Sequence, residues 1–298
     1  MIQVSDISKK YGAVQALHDI SFAVPRGELF GLIGPDGAGK TTLMRLLVTL
    51  LLPDTGRMTF DGRDVVRDYR YVRRNVGYMP GLFSLYRDLS VRENLDFFAS
   101  VFNTTVEENY DLIKDIYVML EPFAQRRSGA LSGGMKQKLA LCCALIHKPL
   151  VLILDEPTTG VDVVSRREFW AMLRKLKAEG ITIIVSTPYM DEAALCDRVG
   201  LIQGGRLMQV GTPQEVIAAF DRPLYAATGA DPYTLLHALR AIDGVERVYP
   251  FGTALHVTSN QALDTAAIAA SLQAQGLHGV ALKPIDPNIE DLFMHLMR

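Results

Sequence analysis

The sequence predicts a wound α/β core that is interrupted by a helical insert. An antiparallel β-subdomain precedes this core and a small α+β domain follows it. Three observations carry the prediction. A wholly apolar run, Leu29 to Ile33, leads straight into the glycine-rich segment Gly34-Pro35-Asp36-Gly37-Ala38-Gly39-Lys40-Thr41-Thr42. A second apolar run, Leu150 to Leu154, ends in the carboxylate pair Asp155-Glu156. Beyond residue 219, apolar segments follow one another as strand, helix, strand, strand, helix, strand, the order of a ferredoxin-like unit.

Residues 1–30 alternate polar and apolar, as in Ile2-Gln3-Val4 and Ile20 to Val24, which suits short antiparallel strands. Lys40 to Leu52 has the composition of a helix, and Gly56 and Asp61-Gly62 punctuate the strands that follow. From about 84 to 149 the pattern turns helical, with helices over 91–98, 106–120 and 133–145. The α/β pattern then resumes with strand 150–154, helix 165–178, strand 181–185 and helix 191–196. Apolar strands separated by helices imply parallel pairing with covering helices. Composition shifts near Gly211 to Pro223, so one domain is expected over 1–218 and a second, accessory one over 219–298. The second ends in an amphipathic helix over 288–297; the alternative for this region is a looser helical extension.

Of the 298 residues, 49% are hydrophobic and 21% charged, a balance that supports a packed core and argues against disorder. A net charge of −2 offers no broad basic field for nucleic acid. The N-terminus shows neither a basic leader nor an apolar h-region, so export is not expected. The apolar runs are far shorter than a bilayer span, so work at a membrane requires other subunits to cross it. Cys142, Cys143 and Cys196 have no metal-ligand spacing and read as buried thiols in a reducing compartment.

Gly34 to Thr41 fits the pattern G-x-x-x-x-G-K-[ST] directly after an apolar strand, the context in which that pattern means a phosphate-binding loop. Its glycines let successive backbone N–H groups curl around phosphates. Lys40 reaches the β- and γ-phosphates of ATP, and the Thr41 hydroxyl coordinates Mg²⁺. At the end of the second apolar strand, Asp155 aims at the metal and Glu156 faces the water that attacks the γ-phosphorus. Leu131-Ser132-Gly133-Gly134-Met135 precedes an apolar helix. Its hydroxyl and N–H groups make an anion site, or, read alone, a serine helix cap.

Together these motifs resemble the ATP-binding subunits of ABC transporters, most closely those of multidrug and ABC-2-type exporters. The resemblance spans residues 2 to about 218. It implies a P-loop NTPase of the ABC type, a second or paralogous copy as dimer partner, transmembrane permease subunits, and a peripheral place on the cytoplasmic face of the membrane. By resemblance, Leu131 to Met135 is the signature that contacts ATP held by the opposite subunit. Tyr11 matches the aromatic that stacks on adenine, the other use of such a residue being a half-buried strand aromatic. Asp162 matches an aspartate that crosses the dimer interface, and it is also placed to cap a helix. In the family the segment after Pro80 docks the membrane subunits, and here Leu82 to Tyr86 offers apolar anchors or core residues.

Two positions depart from the pattern. Gly81 stands where the family has a glutamine that touches Mg²⁺ and water, and Pro188 stands where it has a histidine. Neither replacement has a side-chain donor, and proline lacks even its N–H. Thr187 is adjacent and carries a hydroxyl. The implied activity is therefore a slow ATPase powering an exporter. The alternatives are a soluble ABC ATPase that remodels an assembly, or a regulatory ATP-binding subunit with little hydrolysis.

Overall fold

The computed structural model describes residues 1–81, 85–229 and 231–297, which form two compact units, Met1–Pro213 and Gln214–Arg298. Strands β1 (Ile2–Tyr11) and β2 (Val14–Val24) open the first unit as an antiparallel pair. β3 (Leu29–Ile33), buried at every residue, feeds α1 (Lys40–Leu47). β4 (Thr55–Phe60) and β5 (Arg63–Asp64) complete an antiparallel sheet of order β2-β1-β4-β5. α2 (Tyr69–Asn75) then runs into β6 (Val76–Met79). The insert follows as α3 (Val91–Val101), α4 (Tyr110–Tyr117) and α5 (Gly133–Leu145). The chain returns through β7 (Val151–Asp155), α6 (Val163–Ala178), β8 (Thr182–Thr187), β9 (Arg198–Gln203) and β10 (Arg206–Gly211).

The central sheet has the order β10-β9-β3-β8-β7-β6. It is parallel throughout except for β10. β3, β7 and β8 are buried at every position, which is why they read as continuous apolar runs rather than alternating ones. β8 lies between β3 and β7, so the loops that leave the C-terminal ends of these three strands share one edge of the sheet. Ligands of open α/β sheets sit at that edge. Burial pushes all three thiols above their ordinary range, as expected for inert core cysteines.

Several elements differ from the sequence expectation. The helix expected over 106–120 is confined to Tyr110–Tyr117, and that expected over 191–196 is a 3-10 helix, Met190–Leu195. Strands β6, β9 and β10 and helix α2 were not anticipated. The hairpin of β9 and β10 had a readable signal, a Gly204-Gly205 pair between two apolar runs, which is the composition of a two-residue turn.

In α7 (Pro213–Ala218) the units divide at the first turn, ahead of the expected boundary at residue 218. The second unit contains β11 (Leu224–Thr228), α8 (Pro232–Arg240), β12 (Val245–Phe251), β13 (Ala254–Ser259), α9 (Thr265–Ala274), β14 (Ala281–Pro284) and α10 (Ile289–Leu296). Its antiparallel sheet has the ferredoxin-like order β12-β13-β11-β14. One face buries Val248 and Val257 in a core with Leu235, Leu239 and Leu272 from α8 and α9. Side chains alternate along a strand, so Tyr249 and His256 point to the other face. There Asp291 of α10 accepts hydrogen bonds from the Tyr249 hydroxyl at 2.8 Å and His256 Nδ1 at 2.6 Å. Its second oxygen accepts from the Asn288 N–H at 2.9 Å. Three hydrogen bonds thus engage both oxygens of this buried carboxylate, which offsets its desolvation.

Candidate functional site

The loop after β3 is shaped by backbone geometry. Gly39 caps α1 at φ 103°, ψ 0° with no side-chain cap, and the first turn of α1 holds no acidic residue. The first N–H groups of α1 therefore remain available to an anion. Lys40 is nearly buried, with 3% of its side chain exposed. Its ammonium donates to the carbonyls of Gly34 at 2.7 Å and Pro35 at 2.9 Å and pairs with Glu156 Oε1 at 3.0 Å. Asp36 stands 4.0 Å from the same nitrogen, with its own side chain in solvent.

Asp155 is buried at the tip of β7, where its Oδ1 accepts from the Ser186 hydroxyl at 2.7 Å. The next residue, Glu156, takes φ 49°, a left-handed conformation that costs an L-residue about 1–2 kcal/mol. Two hydrogen bonds from its N–H hold it there, to Ser186 O at 3.1 Å and Ser186 Oγ at 3.0 Å. The turn re-aims the Glu156 side chain toward Lys40. Ser186 thus fixes both carboxylate residues, yet it escaped the sequence reading. A hydroxyl at the end of a buried strand is its only signal.

One cleft of about 360 Å³ gathers Tyr11, Gly37 to Thr42 and Glu156. Gly204 and Gly205 also border it, and these the sequence reading missed. Gly205 donates its N–H to the Ala38 carbonyl at 3.0 Å and accepts from the His18 N–H at 2.7 Å. The β9–β10 turn thereby braces the phosphate loop against β2. Tyr11 stands at the end of β1 and is 44% exposed, so it is a surface aromatic rather than a core one.

Ser132, Gly134 and Asp162 do not border that cleft. Ser132 caps α5, accepting from the Met135 N–H at 3.3 Å. A Cβ on Gly134 would lie 2.6 Å from Ser165 Oγ, so this glycine also allows α5 to approach α6. Asp162 caps α6, accepting from the N–H groups of Ser165 at 3.0 Å and Val164 at 3.1 Å. The Ser165 N–H is the main cause holding its carboxyl below the usual range. Gly133 and Gly81 border a second cleft of about 210 Å³, which meets the first at Glu156.

Gly81 sits beside Asp155, and a Cβ there would lie 3.2 Å from the Asp155 carbonyl oxygen and 3.9 Å from its carboxyl carbon. Thr187 is fully buried and its hydroxyl accepts from the Tyr189 N–H at 3.1 Å. Of the segment Leu82 to Tyr86, residues 82–84 lie outside the described residues. Leu85 is buried, while Tyr86 is exposed and meets Phe97 edge-on at 4.7 Å.

Leu85 borders an apolar cleft of about 390 Å³, together with Phe98, Phe102 and His147. His147 donates from Nε2 to the Val76 carbonyl at 3.1 Å and stacks on Phe102. Its Nδ1 is buried without a partner. A second proton would have no acceptor, and burial lowers the pKa to about 4. Below pH ~6.5 the unfolded chain gains a proton that the folded chain refuses. Stability is therefore full above that pH and falls toward pH 4, by on the order of 3 kcal/mol in all. Urea titrations at stepped pH should show this slope, and His147→Gln should remove it; an equal slope in both proteins would refute the assignment.

Residues 17–159 match the ABC transporter family. Over 299 residues the chain is 36% identical to Nod factor export ATP-binding protein I of Rhizobium sp. (strain N33), covering 99% of this chain and 96% of that protein. This chain belongs to the ABC transporter ATP-binding family. It is also 40% identical over 220 residues to the probable multidrug ABC transporter ATP-binding protein YbhF of Escherichia coli (strain K12). That match covers 73% of this chain but spans only 38% of YbhF. A solved ATP-binding subunit of an ABC transporter superposes with a TM-score of 0.67 at 29% identity, over 73% of this chain and 92% of that one.

As a nucleotide-binding ABC chain, it makes a demand of Gly205 that its sequence alone does not reveal. At φ 74°, a Cβ there would stand 2.5 Å from the Ala16 carbonyl oxygen. Gly205→Ala should therefore displace the brace on Ala38 and weaken ATP binding by about tenfold, the effect of ~1–2 kcal/mol of backbone strain. Titration with a fluorescent ATP analogue measures it.

Proposed function

We propose that this chain is the ATP-hydrolysing subunit of an ABC-type exporter, peripheral at the cytoplasmic face of the membrane. It closes face to face on a second copy or a paralogous subunit around two ATP molecules, and that closure drives separate membrane subunits. The observation that carries this reading is the division of the motifs. Tyr11, the glycine loop and Glu156 border one cleft, whereas Ser132 and Gly134 stand outside it. On this reading, a γ-phosphate over Lys40 meets the signature helix N-terminus of another chain. The exporter relatives support the direction of transport.

In this reading Tyr11 stacks on adenine, and the backbone N–H groups from Gly37 to Thr42 take the phosphates. The uncapped, acid-free start of α1 fits such an anion. Thr41 and Asp155 form an oxygen-only donor pair suited to Mg²⁺, which when bound neutralises charge on the β- and γ-phosphates. Lys40 turns from Glu156 to the γ-phosphate, and Glu156, released, orients the water and takes its proton. Ser132, Gly133 and Gly134 of the partner copy close over the γ-phosphate, and Asp162 reaches across the interface.

Gly81 and Pro188 make turnover slow. The regulatory alternative, ATP binding with little hydrolysis, draws support from the same two residues, neither of which has a side-chain donor. Pull-down from solubilised membranes tests the partnership, with steady-state ATPase measured with and without the captured subunits. Failure to capture any membrane subunit would contradict transport coupling, and absence of turnover in the captured complex would favour the regulator.

A further inference from the structure

Residues 63–74 carry five arginines, Arg63, Arg67, Arg70, Arg73 and Arg74, against two aspartates, Asp64 and Asp68, in a chain of net charge −2. All five arginines are exposed. Asp64 is already shared by Arg57 at 3.2 Å and Arg67 at 3.9 Å. Arg63 lies over the Tyr71 ring at 4.2 Å, and Arg70 and Arg73 pack against the Tyr69 ring at 5.7 Å and 5.2 Å. Arg73 also donates to the hydroxyl and carbonyl of Thr49. Among the described residues, Arg63, Arg70, Arg73 and Arg74 have no carboxylate partner. Stacking on a ring satisfies the face of a guanidinium and leaves edge donors for an anion.

The Thr49 bonds bring α2 alongside the segment that carries two exposed leucines, Leu50 (56%) and Leu52 (62%). Val66 and Tyr69 add further exposed apolar surface. We propose that this flank of α2 binds the headgroups of anionic phospholipids, with the arginines on the phosphates and Tyr69, Val66 and the leucines in the headgroup layer. Cations mixed with exposed aliphatic and tyrosine side chains are the composition of an interfacial surface. Leu50 and Arg73 border the apolar cleft beside His147, but Arg70, Arg74, Leu52 and Tyr69 do not. The larger part of the patch therefore lies outside that groove, which suits a planar membrane better than an acidic peptide.

The inference rests on the membrane-peripheral reading above, and its test needs no membrane subunit. The full chain is cosedimented with vesicles of phosphatidylcholine alone, or with about 30 mol % phosphatidylglycerol, and ATP binding is measured on the same preparation. Binding to the anionic vesicles only, weakened by salt, is expected. Arg70→Gln with Arg74→Gln should lower partitioning by about 30-fold, whereas Arg70→Lys with Arg74→Lys should retain most of it. Equal sedimentation with both vesicle types, or undiminished binding by the glutamine variant, overturns the proposal. Absence of vesicle binding, with capture of an acidic protein segment that the glutamine variant loses, overturns it in favour of a protein partner. A chain that binds ATP but no anionic vesicle refutes this surface and leaves the nucleotide site standing; the reverse result refutes the nucleotide reading alone.

Discussion

Glu156→Gln is expected to lower steady-state ATP turnover by about 10²–10⁴-fold, the worth of a positioned general base, while ATP affinity is preserved. Lys40 retains its bonds to the Gly34 and Pro35 carbonyls when the ion pair at 3.0 Å loses its charge. The backbone at φ 49° is held by Ser186 through the N–H of residue 156, so glutamine inherits the same aim. ATP should then accumulate unhydrolysed between two chains, visible as an ATP-dependent dimer in light scattering. Retained turnover would remove Glu156 from the role of base.

The opposite change comes from restoring donors. Gly81→Gln combined with Pro188→His should raise the basal rate by about 10²–10³-fold, the value of one transition-state hydrogen bond. At position 81 the new Cβ starts 3.2 Å from the Asp155 carbonyl oxygen, so the neighbour must yield by a few tenths of an ångström. The glutamine amide then extends beside the carboxylate assigned to Mg²⁺. Histidine at 188 returns both a side-chain donor and the backbone N–H that proline lacks. Each single variant should recover part of the gain. An unchanged rate in the double variant, measured at saturating ATP, would show that these positions do not limit turnover.

Much of the fold was legible because its signals are local. Strands buried on both faces read as apolar runs, and the second unit showed its order of elements through short alternating segments. Weaker elements were lost for equally physical reasons. β6 is four residues long and contains Gly77 and Tyr78, too short for a period to register. The 3-10 segment Met190–Leu195 carries the composition of a helix, but its hydrogen-bonding pattern is decided by packing.

The sequence by itself determined the chemistry of the glycine loop, of the Asp155-Glu156 pair and of the cap at Ser132. In each, consecutive backbone groups or neighbouring side chains make the site, so contiguity suffices. It also determined the absence of donors at Gly81 and Pro188. Only the tertiary structure decided what surrounds them. The order β3-β8-β7 brings Ser186 to Asp155 and Glu156, and the β9–β10 turn brings Gly205 to Ala38. The same packing brings Arg73 to the hydroxyl and carbonyl of Thr49. It also leaves Ser132 outside the cleft that holds Lys40. These are contacts between segments remote in the chain, chosen by which buried surfaces fit together, and no run of neighbouring residues encodes them.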